Sequence, residues 1–231
     1  MRLSFSAVVL GTLLVLPAFF AQAQQGGISL NQTRVIFAAT DKAQTITVNN
    51  SDSRSWLIQS RMEAGTEGVE PPFIVTPPLL NLNGQSSQLL RILPKDHALP
   101  TDRESLFYLS VTAIPSQAGP LPEEGRLSLG LRFVLKLFYR PAGLAISPVE
   151  AACHLRLSSD VQGLRITNPT PYFQTLGALS LDGRAVDIEP QQSMVAPQSS
   201  LTLARQSQAQ RASWQTVTDH GGLSAPCNQT L

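Results

Sequence analysis

Between residues 125 and 141 the chain reads GRLSLGLRFVLKLFYRP, and Leu127, Leu129, Leu131, Phe133, Leu135 and Leu137 recur at every second position. Side chains of an extended strand alternate between two faces, so all six share one face. At about 3.3 Å per residue the stretch would run roughly 40 to 50 Å, well beyond a usual strand of about five or six residues. The other face carries Ser128, Gly130, Arg132, Val134, Lys136 and Phe138, and its first half is too small and polar to be a core face. Lys136, one of only three lysines, stands in this most apolar strand. Two readings follow. One is a core strand with a snorkelling lysine. The other is an edge strand that offers its apolar row to another chain, with Lys136 as a fixed charge at its foot.

The same periodicity predicts further strands. Residues 28–37 read as one strand, with Arg34 directly before the triplet Val35-Ile-Phe37; others fall at 43–49, 55–63, 73–75, 79–82 and 88–93. Residues 105–114 carry apolar groups on both faces, as a central strand does. A Pro- and Gly-rich loop at 115–124 feeds the long strand. About seven strands separated by turn residues, without helical periodicity, predict a β-sandwich of immunoglobulin type that closes near Pro141. An elbow over 141–148 leads to short strand candidates at 153–157, 163–168, 175–181, 185–188, 200–204 and 214–218, which predict a second, smaller sandwich. The fold class is all-β.

The 231 residues are 42% hydrophobic, enough for a sizeable core. Lysine and arginine number 17 and acidic residues 16, a net of +1. That balance leaves no footprint for nucleic acid or an acidic membrane surface. Residues 1–23 carry Arg2, an almost wholly apolar run over 7–20, and Ala21-Gln22-Ala23, the pattern of a secretory signal peptide cleaved after Ala23. No later stretch approaches spanning length, so an exported protein without membrane insertion is expected; in a two-membrane bacterium it would reside in the periplasm. Cys153 and Cys227 are the only cysteines, and an even count in an exported chain predicts a structural disulfide.

Enzyme chemistry finds no purchase. His97, His154 and His220 have no metal-ligand spacing, and there is no G-x-S-x-G elbow, P-loop or dinucleotide fingerprint. The Glu123-Glu124 pair falls in a turn, where a solvated surface is its natural role. Neither catalytic residue, metal nor cofactor is expected, and the reading moves to binding. Asn31-Gln-Thr33, Asn49-Asn-Ser51 and Asn228-Gln-Thr230 match a glycosylation triplet short enough to arise by chance.

The segment 135–141, LKLFYRP, resembles the signature of the periplasmic pilus chaperones of the chaperone-usher pathway. In the same order as in that family come Thr33-Arg-Val-Ile-Phe37, Asp102-Arg-Glu-Ser-Leu-Phe-Tyr108 and Ala113-Ile-Pro115, then Asn168-Pro-Thr-Pro-Tyr-Phe173, Met194-Val-Ala-Pro197 and Asp219-His-Gly-Gly222. The resemblance implies two immunoglobulin-like β-sandwich domains, 24–143 and 144–231, set at an angle with a cleft between them. It implies that Arg34 and Lys136 anchor the C-terminal carboxylate of a pilus subunit, and that Leu127, Leu129 and Leu131, with Phe133 as an extension, are lent to the subunit's incomplete fold. It further implies delivery to an outer-membrane usher, and self-association or loop cover of the edge when no subunit is bound. The brief 115–124 loop, without flanking cysteines, is similar to the short-loop branch, and His220 stands where the family commonly has an aromatic. The competing reading is a secreted two-domain β-sandwich adhesin or fibre subunit.

Overall fold

The computed structural model describes residues 26–65, 69–96, 98–116, 129–160, 162–204 and 209–231. The signal segment 1–23, Leu127 and most of the 115–124 loop lie outside them. The first sandwich contains β1 (Ile28–Leu30), β2 (Arg34–Ala38), β3 (Gln44–Asn50), β4 (Trp56–Glu63), β5 (Phe73–Thr76), β6 (Leu79–Leu82), β7 (Ser86–Pro94), β8 (Ser105–Pro115) and β9 (Leu131–Arg140). They form one sheet in the order β1-β3-β7-β5 and a second in the order β2-β9-β8-β4-β6. Alternation decides which side chains meet between the sheets: Ile46 and Val48 from β3, Leu109 and Val111 from β8 and Leu137 from β9 are all fully buried. Phe73 packs between Phe37 and Phe107, with ring centroids 4.9 and 5.3 Å away.

The single strand expected over 28–37 is instead two, and they belong to different sheets. β1 pairs antiparallel with β3, whereas β2 pairs parallel with β9. Asn31 and Gln32 make the crossing: the Asn31 Oδ1 accepts from the Thr47 amide at 2.8 Å, and the Gln32 Nε2 donates to the Thr45 carbonyl at 3.4 Å. A strand that changes sheets must change which parity faces the core, and the buried positions shift accordingly from Ile28 to Val35 and Phe37.

The second sandwich begins with a short helix, α1 (Pro148–Ala151), followed by β10 (Arg156–Asp160), β11 (Gly163–Asn168), β12 (Gln174–Leu181), β13 (Arg184–Ala185), β14 (Met194–Val195), β15 (Ser199–Ala204), β16 (Arg211–Thr216) and β17 (Cys227–Thr230). Its sheets run β10-β11-β15 and β13-β12-β16-β17, with β14 alongside β12, around a core that includes Leu164, Ile166 and Trp214. The helix starts at the last residue of the 141–148 elbow, and it is capped from both directions: the Ser147 hydroxyl accepts from the Glu150 amide and the Glu150 carboxylate accepts from the Ser147 amide.

Cys153 and Cys227 form the disulfide, 74 residues apart, joining the chain after α1 to the last strand. A crosslink of that span is worth about 4 to 5 kcal/mol by loop closure. Reduction is therefore expected to lower the unfolding midpoint of the second sandwich while sparing the first, whose core is separate. Intrinsic fluorescence of Trp56 and Trp214 in the two sandwiches, followed with and without reductant, reads the two transitions apart.

Candidate functional site

Along β9 the apolar face passes from solvent to core. Leu129, just before the strand, is 68% exposed and Leu131 is 42% exposed; Phe133 packs partly against the core, and Leu135 and Leu137 are buried. The apolar face is thus exposed in its first half and buried in the core in its second.

Where one half ends is set by β2. Its five residues pair in parallel register with 136–140, Arg34 opposite Lys136 and Ala38 opposite Arg140. On the other side β8 pairs with the whole of 131–139. Among the described residues, then, β9 has an unpaired edge up to Leu135, and that edge stops at Arg34 and Lys136. In-register neighbours on a sheet direct their side chains to the same face, so the two cations stand side by side.

Among the described residues neither cation has a carboxylate in an ion pair of its own. Arg34 donates from Nη1 to the Val217 carbonyl at 3.3 Å, and its Cζ lies 5.8 Å from the Phe138 ring centroid. Its buried Nε has no hydrogen-bond partner among the described residues. Among the described residues no hydrogen bond or ion pair engages the Lys136 ammonium. Burial first, and then the Arg34 guanidinium, hold Lys136 below the ordinary lysine range. Burial also lowers the Arg34 pKa, against the opposing pull of Asp219 and Glu104. Two partly buried like charges with no direct ion pair among the described residues form a site that gains from an anion, and a planar guanidinium beside an ammonium suits a carboxylate.

The cleft beside this pair is held by a charge cluster that sequence reasoning missed. Arg140 donates from Nε to Glu104 at 2.8 Å and from its two terminal nitrogens to Asp219 at 2.7 and 2.8 Å. The second oxygen of Glu104 accepts the Phe173 amide at 2.9 Å. Burial raises the Glu104 pKa, with Arg140 opposing, while Arg140 is pushed above its usual value by its two carboxylates despite its own burial. Glu104 and Arg140 come from the first sandwich and Asp219 from the second, so the cluster ties the domains. These residues are 36 and 79 positions apart in sequence, beyond any local pattern. Nearby, Gly221 adopts φ +84°, and a Cβ there would stand 2.5 Å from the Thr33 Oγ1. The buried Asn168 amide donates to the Tyr172 carbonyl at 2.7 Å and to the Ala196 carbonyl at 3.0 Å, fixing the turn that presents Tyr172 and Phe173 to the cleft. The Phe173 ring lies 5.6 Å from that of Phe138.

Residues 27–145 match the family described as pili and flagellar-assembly chaperone, PapD N-terminal domain, and residues 150–227 match the pili assembly chaperone PapD, C-terminal domain. The chain is 37% identical over 216 residues to the chaperone protein FimC of Escherichia coli K12, covering 92% of this chain and 88% of that one. It is 34% identical to the chaperone protein FimB/FhaD of Bordetella pertussis, over 89% of each. Among solved structures, the SafB chaperone in complex with the Salmonella enterica SafA pilin superposes with a TM-score of 0.79 at 30% identity, covering 89% of this chain and 96% of that one. The periplasmic chaperone SfaE superposes at 0.76 with 31% identity, over 89% of this chain and all of that one. The chain belongs to the pilus-assembly chaperone family. It is a fimbrial chaperone, not an enzyme, and the adhesin or fibre-subunit reading is not favoured.

Proposed function

We propose that the protein works in the periplasm, after cleavage at Ala23, by lending the free edge of β9 to a pilus subunit that lacks a strand, and that it then delivers the subunit to an outer-membrane usher. The observation that carries this is the coincidence of the end of the free edge with the Arg34–Lys136 pair. A guest strand parallel to β9 would end against Arg34 with its carboxylate between two cations. An antiparallel guest would bring its amino end there and be repelled. The pair therefore selects direction as well as register, and register matters because a slip of one residue turns every side chain to the wrong face.

Leu129 and Leu131, with the exposed part of Phe133, are the lent row. Leu127 continues the alternation in sequence, outside the described residues. Covering an exposed leucine fully is worth roughly 1.5 to 3 kcal/mol, and the strand ladder adds to it. We place the division of the domains at 143/144, an assignment supported by the two separate apolar clusters.

Leu129→Asp tests the assignment. At 68% exposure the side chain supports little of the chaperone's own fold, so stability is expected to change by no more than about 0.5 kcal/mol. Capture of a co-expressed pilin should fall sharply. Unfolding of the variant, or undiminished capture, would return Leu129 to an ordinary surface or core position.

A further inference from the structure

Beyond Arg34 the cleft opens into a cavity of ≈ 400 Å³, more room than a carboxylate needs. Ile36 and Phe138 line it from the first sandwich, and Val149, Phe173 and Leu223 from the second. Val149 is 85% exposed and Leu223 53% exposed, yet each is held in place by a specific device. Val149 rides on α1, whose start is fixed by the capping box and Pro148; just past its end the Ala152 carbonyl accepts from the Trp214 indole at 3.1 Å and Cys153 is bridged to Cys227. Leu223 lies over Gly177, where a Cβ would stand 2.3 Å from its Cδ2, at the point where the register of β12 shifts. Leu223 is bridged to Val217, whose carbonyl receives Arg34.

Two large apolar side chains kept in water by a helix cap, a disulfide and a bulge, beside a cation with no direct ion pair among the described residues, make a site for an apolar group joined to an anion. We infer that this cavity is a side-chain subsite that favours subunits whose final residue is large and apolar, an inference that rests on the carboxylate assignment of Arg34 and Lys136. The carboxylate would occupy the cationic end, and the side chain on the same terminal residue would fill the space against Val149, Leu223 and Phe138. The second domain would then contribute to the choice of client as well as to the orientation of Arg34.

The probe is one short peptide of alternating valine and threonine, labelled at its amino end and made with leucine, phenylalanine or serine as the last residue, each as free acid and as amide. Fluorescence polarisation with the full chain is expected to show the leucine and phenylalanine acids bound about tenfold more tightly than the serine acid, the scale of an apolar-pocket preference. Every amide should bind weakly. In Val149→Ser and Leu223→Ser the preference should shrink to less than about threefold, and the highly exposed Val149 makes the first variant safe for folding. Acids and amides binding alike, or no peptide binding, would overturn both the anchor and the subsite. Acids that outbind amides regardless of the last side chain, or a preference unchanged in both variants, would overturn the subsite alone.

Discussion

Replacing Lys136 with methionine is expected to abolish subunit capture while leaving the chaperone as stable as before, or more so. The ammonium is partly buried, faces the Arg34 guanidinium and has no carboxylate partner among the described residues, so its charge costs the empty protein stability. Linkage gives a second signature. The folded lysine titrates below the unfolded value of about 10.4, so between the two the unfolded chain binds more protons and stability rises with pH. That alkaline rise should be present in the natural protein and diminished in Lys136→Met. Thermal melts across alkaline pH and co-purification with a pilin provide the two measurements. A variant that melts well below the natural protein, or that still retains its client, would contradict the assignment. Arg34→Ala should also lose capture.

The second large effect concerns Arg140. Its side chain is 17% exposed and that of Glu104 only 2%, so Arg140→Met would leave a carboxylate buried without its cation. Breaking such a pair typically costs about 3 to 5 kcal/mol. The double variant Arg140→Met/Glu104→Gln removes the stranded charge and keeps an oxygen for the Phe173 amide, so it should recover more than half of the loss in denaturant unfolding. Equal losses in the single and double variants would mean that packing around Arg140, and not the charge on Glu104, is what matters. Asp219 is more exposed, at 34%, and its replacement should loosen the domain angle more than it lowers stability.

Much of this was legible in the amino-acid order because strands announce themselves by parity. The alternation over 127–137 predicted one long strand, of which the described part is the shorter β9 (Leu131–Arg140), with 129–130 outside it, and Arg34 stood out as a charge immediately before an apolar triplet. The break within 28–37 was also present in the sequence, since Ile28 and Leu30 are even and Val35 and Phe37 odd, but a polar tripeptide between them reads equally well as an exposed part of one strand. Helix α1 is too short to show a helical period, although Ser147-Pro148-Val149-Glu150 has the chemistry of a capped start. β17 was missed because Asn228, Gln229 and Thr230 look like a loop, and only their pairing with β16 makes them a strand. The Arg140 cluster and the Gly177–Leu223 contact depend on which distant segments meet, and no local pattern encodes that.

Had the chain run straight from Ile28 to Phe37, it would have been its own client. Continuing the register of Arg34 opposite Lys136 would lay Asn31 against Phe133, along the edge that now stands open. The tethers from Asn31 and Gln32 to the opposite sheet divert the leader from that course. Exchanging this polar step for β-branched residues would favour a self-sealed molecule, well folded and inert, in which intramolecular competition replaces assistance.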